Sequence, residues 1–119
     1  MSAASTAVRI DLSTITDWDS FFDVFSHQLG FPDLFGRNMD AWIDCMTYLD
    51  EPDAGMTSVH VTPGQVLVLL LDNVCEFRVR CPEQYAALIE CSAFVNWRRM
   101  ERREPPGGDP PVLALAFHS

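Results

Sequence analysis

Six consecutive apolar residues, Val66-Leu67-Val68-Leu69-Leu70-Leu71, lie between Gly64 and Asp72 and constrain this chain more than any other stretch. The run is far too short to span a membrane, and its lack of polar alternation suits a central strand covered on both faces. Ala7–Leu12 and Val112–Phe117 have the composition of two further strands, and helical patterns fill the intervals. Asp17 to Leu29 carries Trp18, Phe21, Phe22, Phe25 and Leu29 at helical spacing, with Thr16 as the expected cap, Asp19 in the first turn, and Gly30 where a left-handed stop is needed. Pro82 stands at the first position of a last helix predicted to reach about Arg103, with Tyr85, Leu88, Ile89 and Val95 or Phe94 turned inward. The tract from Pro105 to Pro111 ends it.

Three strands separated by helices predict an α/β fold, a small three-stranded parallel sheet with right-handed crossovers and helices packed on it. At 119 residues and 48% hydrophobic content, one domain over 1–119 is expected, with an ordered core of about 7–118. Asp50 to Gln65, rich in Pro, Gly, Thr and Asp, reads as a long loop with an extended piece at Ser58–Val61, and Asn73 to Arg80 as a connector with a helical turn.

Between the Phe31–Arg37 loop and the long loop lies a short helix, Met39 to about Leu49, with Asn38 suited to cap it. Met39, Trp42, Ile43, Met46 and Leu49 form its apolar stripe, and the opposite face carries Asp40, Asp44, Thr47, Tyr48 and Glu51. Two aspartates on that face cannot serve the core that Trp42 serves. Asp40 has a structural role available, since an acid in the first turn complements the helix dipole by about 0.3 to 1 kcal/mol. Asp44 lies beyond that turn, has Tyr48 rather than a cation four residues on, and follows Asp40 with like charge, an arrangement that costs roughly 0.2 to 0.5 kcal/mol. Charged helix faces are usually just solvated surface, so the pattern by itself marks a face and not a function.

The formal charge is −9 and uneven: residues 1 to 90 hold 14 acids and 4 arginines, while residues 91 to 119 hold 3 acids and 4 arginines. Nucleic acid is thereby disfavoured as a direct ligand, because phosphate backbones are bound by basic stripes. A basic protein partner is favoured. Cys45, Cys75, Cys81 and Cys91 form no Cys-x-x-Cys pair, and the N-terminus has no secretory pattern, so reduced cysteines in a cytoplasmic protein are expected. His27, His60 and His118 lack ligand spacing, and no metal or cofactor is expected. Trp42 and the Phe21, Phe22, Phe25 cluster read as core, and Arg98, Arg99, Arg102 and Arg103 as cations suited to a helix end, with a weak nucleic-acid or partner role open to them.

Phe31-Pro32, Phe35-Gly36, Asn38, Asp40-Ala41 and Asp44-Cys45 recur at the offsets of a known pattern, and the chain from about Gln28 to Pro52 resembles the barstar-like family of intracellular ribonuclease inhibitors. The resemblance implies a non-enzymatic protein that blocks a basic ribonuclease or ribonuclease-like toxin, remaining a monomer before binding. In this family the carboxylate matching Asp44 occupies the place of a substrate phosphate among the enzyme's cations, and the one matching Asp40 supports it. The implied partner-binding surface comprises Asp44, Asp40, Leu34, Phe35, Gly36, Arg37, Asn38, Thr47, Tyr48 and a last-helix residue, Glu90 or Cys91, with Glu90 preferred. Departures from the pattern are Leu34-Phe35 in place of two tyrosines, Arg37 in place of an acid, and Leu49 in place of a tryptophan.

Two other functions are open at this level. One is an interaction module for a different basic protein. The other is a Mg2+-dependent phosphoryl-transfer enzyme using Asp40, Asp44 and Asp72, against which stands the lack of a phosphate-binding loop, general base or nucleophile.

Overall fold

The structure, a computed structural model, describes residues 6–102 and 109–119. Strand β1 (Thr6–Asp11) is followed by a short 3-10 turn, helix α1 (Trp18–Leu29), helix α2 (Met39–Thr47), a second 3-10 turn at Pro52–Ala54, strand β2 (Leu67–Asp72), helix α3 (Val74–Arg80), helix α4 (Pro82–Glu101) and strand β3 (Leu113–His118). The strands form one parallel sheet in the order β1-β2-β3, so the apolar run is the central strand. Helix α4 begins at Pro82 as its sequence requires. Its last predicted residue, Arg103, and most of the proline tract lie outside the described residues.

The central strand is covered on one face only. Leu67, Leu69 and Leu71 are fully buried, whereas Val68 and Leu70 are half-exposed. Register explains this correction: Ile10, Leu71 and Phe117 align across the sheet, as do Val8, Leu69 and Leu115, so one face meets the helices. On the other face Arg9, Leu70 and Ala116 align, flanked by Ala7, Val68 and Ala114, and the small or partly wetted side chains there tolerate an open side.

Helix α1 is capped by Asp17 rather than Thr16. The Asp17 Oδ1 accepts from the Ser20 amide at 2.8 Å while the Ser20 hydroxyl accepts from the Asp17 amide at 3.1 Å, a reciprocal box that Thr16 cannot form. At its other end Gly30 has φ +66°, and a Cβ there would collide with Ser58. The collision site is also a tether, since the Ser58 amide donates to the Leu29 carbonyl at 2.8 Å and the Val61 amide to that of Leu49 at 3.0 Å. The Ser58–Val61 piece is therefore pinned to two helix ends and is not a strand.

A second tie fastens α4 to α2. Arg99 is 1% exposed, yet its guanidinium meets both Asp50 carboxylate oxygens at 3.0 and 2.7 Å, the Thr47 carbonyl at 2.8 Å and the Pro110 carbonyl at 2.9 Å. A buried cation is tolerable only with such a full set of acceptors. Among the described residues, no helix is long and apolar enough to cross a membrane.

Candidate functional site

The Asn38 carboxamide oxygen accepts from the Ala41 amide at 2.8 Å, which starts α2 where the sequence required. One side of the helix then enters the core: Trp42 and Met46 are fully buried, Ile43 nearly so, and Trp42 meets Phe25 edge-on with ring centroids 5.8 Å apart. The helix stops at Thr47, two residues short of the expected Leu49, although Leu49 is buried beyond it. Asp40 is thereby left exposed and Asp44 half-exposed.

Two expectations about the outer face are corrected. Thr47 is only 1% exposed, its hydroxyl donating to the Ile43 carbonyl at 2.6 Å and its own carbonyl taken by Arg99, so it faces the α4 junction and offers a partner nothing. Asp44 is not free of cations. Arg98 of α4 donates through Nη1 to Asp44 Oδ1 at 2.6 Å, with the two side chains 39% and 48% exposed. An arginine 54 residues away leaves no trace in helical spacing.

The Arg98–Asp44 contact engages one oxygen of the carboxylate. A carboxylate has about four acceptor positions, so with Oδ1 engaged Oδ2 stays available to a further donor. Asp40 makes no ion pair among the described residues. It lies close enough to α4 for its charge, after burial and the charge of Glu90, to push the half-buried Cys91 thiol up. Asp40 and Glu90 thus act on one thiol across the α2–α4 seam. Glu90 is exposed and Cys91 is half-buried, which makes Glu90 the more available of the two. Beneath the seam, burial and the Asp44 charge push the Cys45 thiol up to about 11, so it stays protonated and inert.

The approach loop is mixed in character. Leu34 is 96% exposed, but Phe35 packs onto Phe31 and Phe22 with centroids 4.8 and 5.7 Å away and is half-buried. Gly36 is exposed and packs near the Asn38 side chain. Arg37 has φ 54° and folds back to α1, where one guanidinium nitrogen lies 2.9 Å from both Asp19 and Asp23. Its guanidinium is thus paired on α1 rather than with Asp40. Tyr48 is half-buried under Arg102, whose guanidinium carbon lies 5.0 Å from the ring centroid, and Arg102 also pairs with Glu51 and Asp109. Arg98, Arg99 and Arg102 of the arginine cluster are therefore internal ties.

A family model described as Barstar (barnase inhibitor) matches residues 5–106, most of the chain. The chain belongs to the barstar family. No curated protein matches it. The match spans every helix of the fold, the approach loop and the acidic face, and the three-stranded parallel sheet with its helices accords with the family's α/β architecture. In this barstar-family chain the third acid considered for metal chemistry, Asp72, sits at the end of β2 between Arg9 at 2.7 Å and His118 at 3.0 Å. Among the described residues, no group of three His, Cys, Asp or Glu side chains could hold a metal ion.

Proposed function

We propose that this chain inhibits a basic ribonuclease or ribonuclease-like toxin by seating the outer face of α2 in the enzyme's phosphate-binding cleft. Family membership supports a ribonuclease-inhibitor type of protein. The observation that carries the finer reading is the exposure of Asp40 and the open oxygen of Asp44 on a helix whose other face is locked in the core. Cations that grip substrate phosphates also grip carboxylates, through short charge-assisted hydrogen bonds. The enzyme cannot discard those cations without losing its hold on RNA. Asp44 is the central contact, with Asp40, Glu90, Leu34, the half-buried Phe35, Gly36, Asn38 and Tyr48 around it. Arg37, exposed but paired with Asp19 and Asp23, lies at the rim of this surface, and the buried Thr47 has no part. The protein acts as a monomer in the cytoplasm, a setting that suits its four unpaired cysteines.

Purified chain titrated into barnase and into other basic ribonucleases tests this. One of these enzymes should lose activity at one-to-one stoichiometry, and the chain alone should hydrolyse neither RNA nor phosphate esters with added Mg2+. Mg2+-dependent turnover lost in Asp44→Ala would replace the binding module with an enzyme. Tight binding to a basic protein without loss of ribonuclease activity would favour a general interaction module.

A further inference from the structure

Helix α4 turns one mixed face into the fold and leaves several large apolar residues outside it. Leu88, Ser92, Val95 and Arg99 face the interior, while Ile89, Phe94, Trp97 and Met100 are 36%, 44%, 52% and 52% exposed. Ile89 thereby reverses the inward placement expected for it, and of the alternatives Val95 and Phe94 it is Val95 that turns inward. Phe94 and Trp97 stack on each other, centroids 5.5 Å apart and planes 25° apart, outside the core. Single exposed apolar residues need no explanation, but an exposed pair of large aromatic rings packed on each other points to an interaction site.

Position on the helix says which site. Cys91, Phe94 and Arg98 succeed one another at i, i+3 and i+7, so they share a flank. Cys91 feels the charge of Asp40, and Arg98 bonds Asp44. Phe94 therefore lies on the flank turned toward the acids of α2, with Trp97 stacked beside it. Resting on the inhibitory reading above, we infer that the Phe94–Trp97 pair is the apolar anchor of the same docking face, seated against a basic nuclease on the surface beside its phosphate-binding cations.

Charge selects this occupant over a second copy of the chain. In a two-fold dimer the same patch meets itself, and Asp40, Glu90 and Glu101 would be brought toward their own counterparts in a chain of net charge −9. The same acids attract a basic enzyme. Interfaces concentrate their energy in a few desolvated aromatic and arginine residues ringed by polar ones, and the stacked pair is the large exposed aromatic surface adjoining the acids.

Full-length chain and its variants titrated by calorimetry into barnase and into the same other basic ribonucleases, with sedimentation of the free proteins, provide the test. Phe94→Ala and Trp97→Ala should each weaken binding at least about tenfold with melting temperatures essentially unchanged. Val79→Ala, which trims an apolar side chain 78% exposed on α3, should bind as wild type. Wild-type affinity in both aromatic variants alongside a large loss in Asp44→Ala would overturn this inference and leave the inhibitory reading standing. Absence of any binding by the wild-type chain would remove both. A wild-type dimer that Trp97→Ala converts to monomer would assign the patch to a second copy and overturn the inference by another route.

Discussion

Asp44 shows how much a single distant cation changes the expected behaviour of a site residue. From helix spacing alone its removal costs nothing in stability, but Arg98 gives it an internal partner. Because both side chains are about half in water, the pair is worth under about 1 kcal/mol, so Asp44→Ala should lower stability by no more than that in denaturant titration. Its binding loss should be at least about 2 kcal/mol, a general hot-spot threshold for which barnase and barstar are themselves among the reference systems. Asp40→Ala should weaken binding less. Arg98→Ala decides what the internal pair does. If Arg98 merely competes for the carboxylate, its loss should tighten calorimetric binding, and a loss matching that of Asp44→Ala would make Arg98 the group that positions Asp44.

At the scale of elements, the parts legible in the sequence were those fixed by nearest neighbours along the chain. The helix starts at Asn38 and Pro82, the stop at Gly30, the apolar stripes of α1 and α2 and the central apolar strand all follow from local spacing and short-range sterics. What spacing did not reveal were the placements decided by a second element. Thr47 is buried because α4 crosses it, Asp44 is paired because Arg98 arrives from α4, and Phe94 and Trp97 stay outside because α2, α3 and β3 cover only the opposite face of α4. The locally fixed elements allow firm expectations. Gly30→Ala should destabilise the protein by well over the roughly 1–2 kcal/mol of a left-handed non-glycine residue, since its Cβ also meets Ser58. Trp42→Ala should cost about 3 to 5 kcal/mol, with loss of binding only as the fold is lost. Thermal melts of the two variants check both. The α1 cap adds a pH dependence: hydrogen bonds from the Ser20 amide and hydroxyl hold Asp17 below its ordinary value of 3.8, and bonds from Ser13 and Asn73 do the same for Asp11. With folded values below unfolded ones, this stabilisation is complete above the ordinary carboxylate range and is lost as pH falls through the lowered values. Asp17→Asn should therefore flatten the acid limb of the stability curve.

For the molecule as a whole, the imbalance of charge governs how a partner arrives. A domain whose first 90 residues carry 14 acids against 4 arginines should draw in a basic enzyme faster than the roughly 10⁵ to 10⁶ per molar per second of neutral pairs. Stopped-flow association should slow steeply as salt rises, and a salt-independent rate would place the acidic face away from the contact. Stability on this scale depends on Arg99. Asp50→Asn would leave a buried guanidinium without its counter-charge and should cost about 3 to 5 kcal/mol in chemical denaturation. The same guanidinium ties the exit from α2, the long loop through Asp50 and the approach to β3 through Pro110 into one knot. Those three segments cannot loosen one at a time, so their amides should exchange with deuterium as a single cooperative unit. An acidic helix mounted on such a knot surrenders little freedom when it docks, and a larger part of each contact it makes survives as affinity.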